Sequence, residues 1–252
     1  MIFLSFWKML LVGIQQHRGV IIVRERSQSN QMTLEKIISA QTGDAPAVAH
    51  DFYHYAPDTG HGLKHNPMQA IIGPRPIGWI SSVSKQGVNN LAPYSFCNMF
   101  RAEPPLLGFA SGENKDSLRN IEETGKFVWN LATRRLAEAM NMSSVTVPNH
   151  IDEFALSGLT CAPSSFDMPG YVLESPVSFD CELTQIVELL DRNAKPSGSS
   201  LIIGEVVHVR IARNLICDGI YETLASQPIL RGGGPGDYYE LMPEGYFFMK
   251  RP

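Results

Sequence analysis

Two long runs of residues limit the fold more than any other feature of this chain. They are SPVSFDCELTQIVELL (175–190) and SSLIIGEVVHVRIA (199–212). The first sets Phe179, Cys181 and Leu183 against Asp180, Glu182 and Thr184. The second sets Leu201, Ile203, Val207 and Val209 against His208 and Arg210, with Glu205 on the apolar side. A period of two is that of a half-buried antiparallel strand, whereas strands buried on both faces of a parallel sheet read as unbroken apolar runs. The segment DRNAKPSGSS (191–200) between them has the composition of a turn.

The rest of the chain fits the same class. AIIGPRPIGWISSVS from Ala70 and VNNLAPYSFCNMF (88–100) flank the turn signal KQG (85–87) and read as a hairpin. PPLLGFAS (104–111) and KFVWNLA (126–132) read as further strands. KDSLRNIEETG (115–125) changes to a helical period, with Asp116 as expected N-cap and Gly125 just past the end. TRRLAEAMNMSS (133–144) reads as a helix capped by Thr133, and HIDEFALSGL (150–159) as one or two helical turns. Strands dominate without a regular βαβα order, so the expected fold is a mainly β, closed or nearly closed antiparallel barrel with short inserted helices.

The N-terminal part behaves differently. MIFLSFWKMLLVGIQQHRGV is apolar, but Lys8 sits within the apolar run and no small-residue cleavage site follows. Met32 opens MTLEKIISAQ, where Leu34, Ile37 and Ile38 share a helical face. Residues 1–50 are therefore expected to form an N-terminal extension, poorly ordered over 1–31, ahead of a domain spanning 51–252. No apolar run reaches the roughly 18 residues that span a bilayer, so no membrane partner is expected. A net charge of −4 gives no basic surface for nucleic acid. Cys97, Cys161, Cys181 and Cys217 form no C-x-x-C pair, which suits reduced thiols in the cytoplasm. His61 and His65 are four apart, but Gly62 and Pro67 argue against a helix that would align them on a metal; no metal site is expected.

Three stretches carry groups suited to chemistry. In GPRPIGWISS (73–82) two prolines hold Arg75 extended, and the strand puts Trp79 and Ser81 on one face and Ser82 on the other. Arginine grips phosphate with a fork of donors, and hydroxyls add neutral ones. In NLAPYSFCNMF (90–100), Ser95, Cys97 and Asn98 sit in an aromatic strand beside Phe96. An Asn amide offers both donor and acceptor, enough to read an imide edge. In KDSLRN (115–120) a helix N-terminus with Lys115 and Ser117 resembles a phosphate cradle. Each stretch also has a plain structural reading: a surface arginine, a strand end, a capped helix.

Taken in order, PRPIGWISSVSKQGVNNLAPYSFCNMF, PPLLGFAS, KDSLRNIEETGKFVWNLA, AMNMSS, DEFALSGL and ESPVSFDCEL resemble the flavin reductase-like, FMN-binding split-barrel family, from about residue 52 to the final MKRP. The resemblance implies a six-stranded antiparallel Greek-key split barrel, usually a homodimer, that binds FMN. It implies hydride transfer from NADH or NADPH to the flavin and onward electron transfer, with free flavin, a monooxygenase, ferric iron and another redox protein all open as acceptors. Flavoredoxin-type electron carriage, or a non-catalytic dimeric barrel, remain as alternatives. On the residues that match, the resemblance implies FMN contacts from Arg75, Trp79, Ser81, Ser82, Ser95, Phe96, Cys97, Asn98, Lys115, Asp116 and Ser117. Cys97 departs from the pattern, since many relatives carry phenylalanine there. LRGGGPGDYY (230–239) lacks the G-x-G-x-x-G order and reads as a loop, with Arg231 and Tyr238 as candidates to line the pocket.

Overall fold

The computed structural model describes residues 51–164 and 167–252. The readings for 1–50, including the helix at 32–40, lie outside the described residues. The elements below fall within His54–Phe248. In chain order they are α1 (Met68–Ile71), β1 (Gly78–Val83), β2 (Asn89–Tyr94), β3 (Cys97–Ala102), β4 (Pro105–Gly112), α2 (Asp116–Thr124), β5 (Lys126–Asn130), α3 (Ala137–Met142) and α4 (Glu153–Leu156). Two short strands follow, β6 (Cys161–Ala162) and β7 (Tyr171–Val172), then the long β8 (Val177–Leu190) and β9 (Pro196–Ile211). Two small strand pairs end the chain: β10 (Ile216–Cys217) with β11 (Ile220–Tyr221), and β12 (Ile229–Arg231) with β13 (Tyr238–Glu240).

The large sheet has the order β2-β1-β5-β8-β9-β4-β3, and every neighbouring pair is antiparallel. Its two edges, β2 and β3, are consecutive in the chain with only Ser95 and Phe96 between them. The sheet therefore curls until its edges meet, and the bend at Ser95–Phe96 is the seam of a split barrel. The sheet has seven hydrogen-bonded strands, where the resemblance implied six; β2 and β3 are separate strands of one continuous run. The sequence shows one run here because nothing local marks the bend: it arises where β2 leaves β1 and β3 joins β4.

The β8–β9 hairpin turns on Asp191, whose Oδ1 accepts the Asn193 and Lys195 amides at 2.7 and 2.9 Å. This Asx arrangement lets the second strand start at Pro196, ahead of the alternation at 199. Asp180, which the alternation assigns to solvent, is fully buried. Arg210 grips it with Nη1 on Oδ1 at 2.6 Å and Nη2 on Oδ2 at 2.8 Å, while the guanidinium lies 4.5 Å from the centre of the Tyr171 ring. The outer face of the sheet is covered here, so the charge is paired rather than solvated.

Apolar side chains gather on both faces of the sheet. Ile80, Phe109, Phe127, Cys181 and Ile202 fill the barrel, and α2 plugs one end with Leu118 and Ile121. Trp79 and Leu91 face outward into a second core with Leu136, Met140, Phe154, Val172 and Ile229. Each fully buried large side chain of this kind contributes about 1.5–3 kcal/mol. Gly125 closes α2 in the left-handed region (φ 73°), its N–H donating to the Ile121 carbonyl at 2.8 Å. At the other end the cap residue is Lys115, and Asp116 is the first helical residue, ion-paired with Arg119. Thr133 makes no side-chain cap either. A 3₁₀ turn, Arg134–Leu136, precedes α3, and the Thr133 backbone bridges to Pro228. Among the described residues no helix is long and apolar enough to cross a membrane.

Candidate functional site: the groove at the barrel seam

Where the sheet edges meet, a groove of about 300 Å³ opens. Arg75, Ser95, Phe96, Cys97 and Asn98 line it, as do Ile72, Pro76, Phe100, Ala110 and Leu201. The bend at Ser95–Phe96 is held by the Ala110 N–H, which donates to the Phe96 carbonyl at 2.8 Å. Phe96 and Phe100 each keep 53% of their surface exposed, so two aromatic rings stand at the groove without cover. Gly108 makes room for one of them: a Cβ there would lie 2.7 Å from Cε2 of Phe100 and 2.7 Å from the Ile202 carbonyl. Cys97 is buried, and burial pushes its thiol up to about 12. It is a neutral wall, not a nucleophile.

Arg75 is buried to 8% exposure and binds the chain itself. Its Nε donates to the Ser95 carbonyl at 3.2 Å, Nη1 to the carbonyls of Gln69 and Ile72, and Nη2 to the Gly232 carbonyl at 3.0 Å. The guanidinium also stacks 5.1 Å from the Phe96 ring centre. Burial first, and the charge of Arg231 second, hold its pKa below the ordinary arginine value. The expected phosphate fork is thus occupied by carbonyls from three chain segments, which converge on the groove through this one side chain.

The helix end predicted to cradle phosphate lies next to the seam. Ser117 Oγ accepts from Asn90 Nδ2 at 2.8 Å, and the same amide reaches Ser82 Oγ at 3.1 Å. Asn120 Nδ2 lies 3.3 Å from Ser82 Oγ, and its own Oδ1 is buried without a hydrogen-bond partner among the described residues. Tyr94 joins this network through hydrogen bonds with Ser117 and Ser111, which oppose the rise in its pKa that burial imposes. Since Tyr94 precedes Ser95, a continuous path runs from Arg75 through the bend to α2. Lys115 is exposed and contributes no side-chain bond to the first turn, leaving the amides at that end open to an anion.

Two of the expected residues face elsewhere. Trp79 is fully buried in the outer core and donates from Nε1 to Ser143 Oγ at 2.9 Å. Ser81 donates to the Gly170 carbonyl at 2.6 Å on that same face. Their strand alternation is as read, but the face they share is covered by helices and the β7 segment. Phe100, Tyr94 and Gly232 are the residues that the sequence reading missed. Phe100 is the extra residue of the β3 bulge between Met99 and Arg101, where the period of two breaks; Gly232 lies in the loop whose Arg231 and Tyr238 were the expected pocket residues.

Residues 72–224 match the model of the Flavin reductase like domain. The chain belongs to the flavin reductase-like family. One relative is an uncharacterised protein of Halalkalibacterium halodurans, 36% identical over 186 residues, covering 71% of this chain and 86% of that one. Among solved structures, nitrilotriacetate monooxygenase component B from Bacillus cereus superposes with a TM-score of 0.70 at 28% identity, covering 80% of this chain and 100% of that one. The 2-nitrobenzoate 2-nitroreductase NbaA of Pseudomonas fluorescens gives 0.64 at 28% identity, covering 73% and 88%. Flavoredoxin of Desulfovibrio vulgaris gives 0.62 at 20% identity, covering 70% and 90%, a likeness of fold alone. The flavin reductase-like match ends before Gly232, although that residue's carbonyl is bound by Arg75 inside the matched region.

Proposed function

We propose that this protein binds FMN at the seam and acts as an oxidoreductase, passing hydride from NADH or NADPH to the flavin and electrons onward. The observation that carries this reading is the seam itself. An aromatic-walled groove with hydroxyl and amide groups is joined through Tyr94 to an open helix N-terminus. Bound FMN would supply the two-electron chemistry that no side chain here provides.

The chain's own residues divide the remaining work. Lys115 and the first-turn amides of α2 hold the phosphate. Ser95 Oγ and the Asn98 amide offer donors and acceptors to the ring edge. Phe96 and Phe100 exclude water from the ring, and Cys97 supplies an uncharged wall. Arg75 keeps the bend, the 69–72 segment and Gly232 together, so that these groups stay in register. Ser82, Asp116 and Ser117 hold the helix end through the buried network and the Arg119 pair.

A second copy of the chain is the proposed structural partner, and the cytoplasm the proposed compartment. The Bacillus cereus neighbour is a monooxygenase component, and a monooxygenase or another redox protein is the proposed acceptor here. The test is anaerobic mixing of the purified, FMN-loaded protein with NADH and with NADPH. Rapid bleaching of the flavin band is expected with one of them. A protein that takes up no FMN ends the proposal, and one that binds FMN but is not reduced is a carrier instead.

A further inference from the structure

A layer of buried amides and hydroxyls lies between the sheet and α2. Ser82 of β1 and Asn90 of β2 are cross-strand partners. Ser117 and Asn120 stand about one turn apart on the helix and so share a face. All four residues are buried. Asn90 Nδ2 gives its two protons to Ser82 Oγ at 3.1 Å and Ser117 Oγ at 2.8 Å, so one amide ties strand to helix. Asn120 Nδ2 makes a second tie, to Ser82 Oγ at 3.3 Å.

Asn120 is the informative member. Ser82 already has a donor in Asn90, so hydrogen-bond satisfaction does not require another. Meanwhile Asn120 Oδ1 is buried and meets no donor among the described residues. A buried acceptor left unmet is a net cost to folding. Its neighbours Leu118 and Ile121 plug the barrel, and an apolar side chain at 120 would extend that plug without the cost. Departures of this kind from a fully satisfied core gather at functional sites. The amide is therefore kept for what it holds in place.

What it holds is the start of α2. A single tie would leave the helix free to roll against the sheet. Two ties a turn apart, on Ser117 and Asn120, fix its rotation and its height above β1 and β2. They thereby set where the N–H groups of Asp116, Ser117 and Leu118 point. These amides precede the first intrahelical bond, from the Arg119 N–H to the Lys115 carbonyl at 3.2 Å. The four tied side chains carry no charge, so the layer aims donors without repelling an anion.

We infer that Asn90 and Asn120 are positioning residues for a phosphate ester: acting through Ser117 and Ser82, they aim the first-turn amides of α2 and so set the preference for a flavin phosphate over the same flavin without its phosphate. The inference rests on the FMN reading of the seam and adds two residues that the resemblance does not mark.

The test compares FMN with riboflavin, which lacks the phosphate, by fluorescence titration of the full-length protein and of Asn120→Leu and Asn90→Ala. Each variant is expected to lose FMN affinity by about tenfold, the worth of one hydrogen bond to a charged group. Riboflavin affinity is expected to stay unchanged. The thermal midpoint of Asn120→Leu is expected at or above that of the parent, because the unmet acceptor is gone. Should Asn90→Ala fail to fold, Asn120→Leu decides alone. Equal losses for both flavins would assign the amides a merely structural role and overturn the inference, as would an unchanged ratio of the two affinities. A parent that binds FMN and riboflavin equally well overturns it too, while leaving the flavin reading in place. A parent that binds neither ends the flavin reading, and this inference with it.

Discussion

Arg75 and Arg231 hold one another by their backbones: the Arg75 N–H donates to the Arg231 carbonyl at 2.8 Å, and the Arg231 N–H to the Arg75 carbonyl at 2.9 Å. Their side chains then divide. Arg75 gathers the seam, while the Arg231 guanidinium binds the carbonyls of Gly232, Gly233, Gly234 and Asp237 and stacks 5.1 Å from the Tyr238 ring centre. The glycine-rich loop is drawn so close to α1 that a Cβ on Gly233 would lie 2.4 Å from that of Ala70. Two like charges are thereby held side by side by carbonyl dipoles.

Arg75→Lys keeps the charge but loses the planar fork that reaches three segments at once. Losing buried hydrogen bonds to a charged group costs about 1.5–3 kcal/mol, so the thermal midpoint should fall by several degrees. FMN affinity, read by fluorescence titration, should fall with it. A variant that matches the parent in both measurements would remove Arg75 from its positioning role.

Asp180→Asn neutralises a fully buried carboxylate and leaves the half-buried Arg210 charge without its counter-ion. Removing one partner of a buried pair typically costs about 3–5 kcal/mol. Urea denaturation should show a midpoint well below that of the parent at unchanged slope. A loss within error of zero would mean that Arg210 finds water or another acceptor on that face.

Glu153 should make stability fall as pH rises above the usual glutamate range. Burial is the main cause of its raised pKa, with Asp116 and Asp152 adding to it and the Leu91 amide, donating to Oε2 at 3.1 Å, opposing it. The folded state therefore holds the proton more tightly than the unfolded chain. The contribution is complete below the unfolded pKa and is lost as pH climbs through the folded one. Glu153→Gln keeps an oxygen for the Leu91 amide and has no proton to lose. Urea midpoints from about pH 4 to about pH 7 should decline less steeply in this variant; identical slopes would assign the decline to other groups.

The thiols should react in order of burial. Cys217 is exposed, Cys161 is half-buried and pushed up to about 11, and Cys97 is pushed up to about 12. Cys181 is buried in the barrel and raised as well. A native-state titration with a chromogenic disulfide at about pH 8 should label Cys217 quickly and leave Cys97 and Cys181 untouched until denaturant is added. Fast labelling of Cys97 in the native protein would show that the seam opens on that timescale.

What the chain's own order determined is local. The alternation around Phe179 and Leu201 specifies antiparallel strands because period two needs no information beyond neighbouring residues. Gly125 specifies the end of α2 because only its backbone conformation is at stake, and Ser95–Asn98 announce a polar-aromatic segment wherever they are placed. Closure of the sheet decided the rest. It turned one apparent strand into two at Ser95–Phe96, covered Trp79, Ser81 and Asp180, and brought Gly232 to Arg75 from 157 residues away. Hydrogen bonds and ion pairs at such separations depend on which surfaces meet after the barrel forms, and no periodicity in the sequence encodes that meeting.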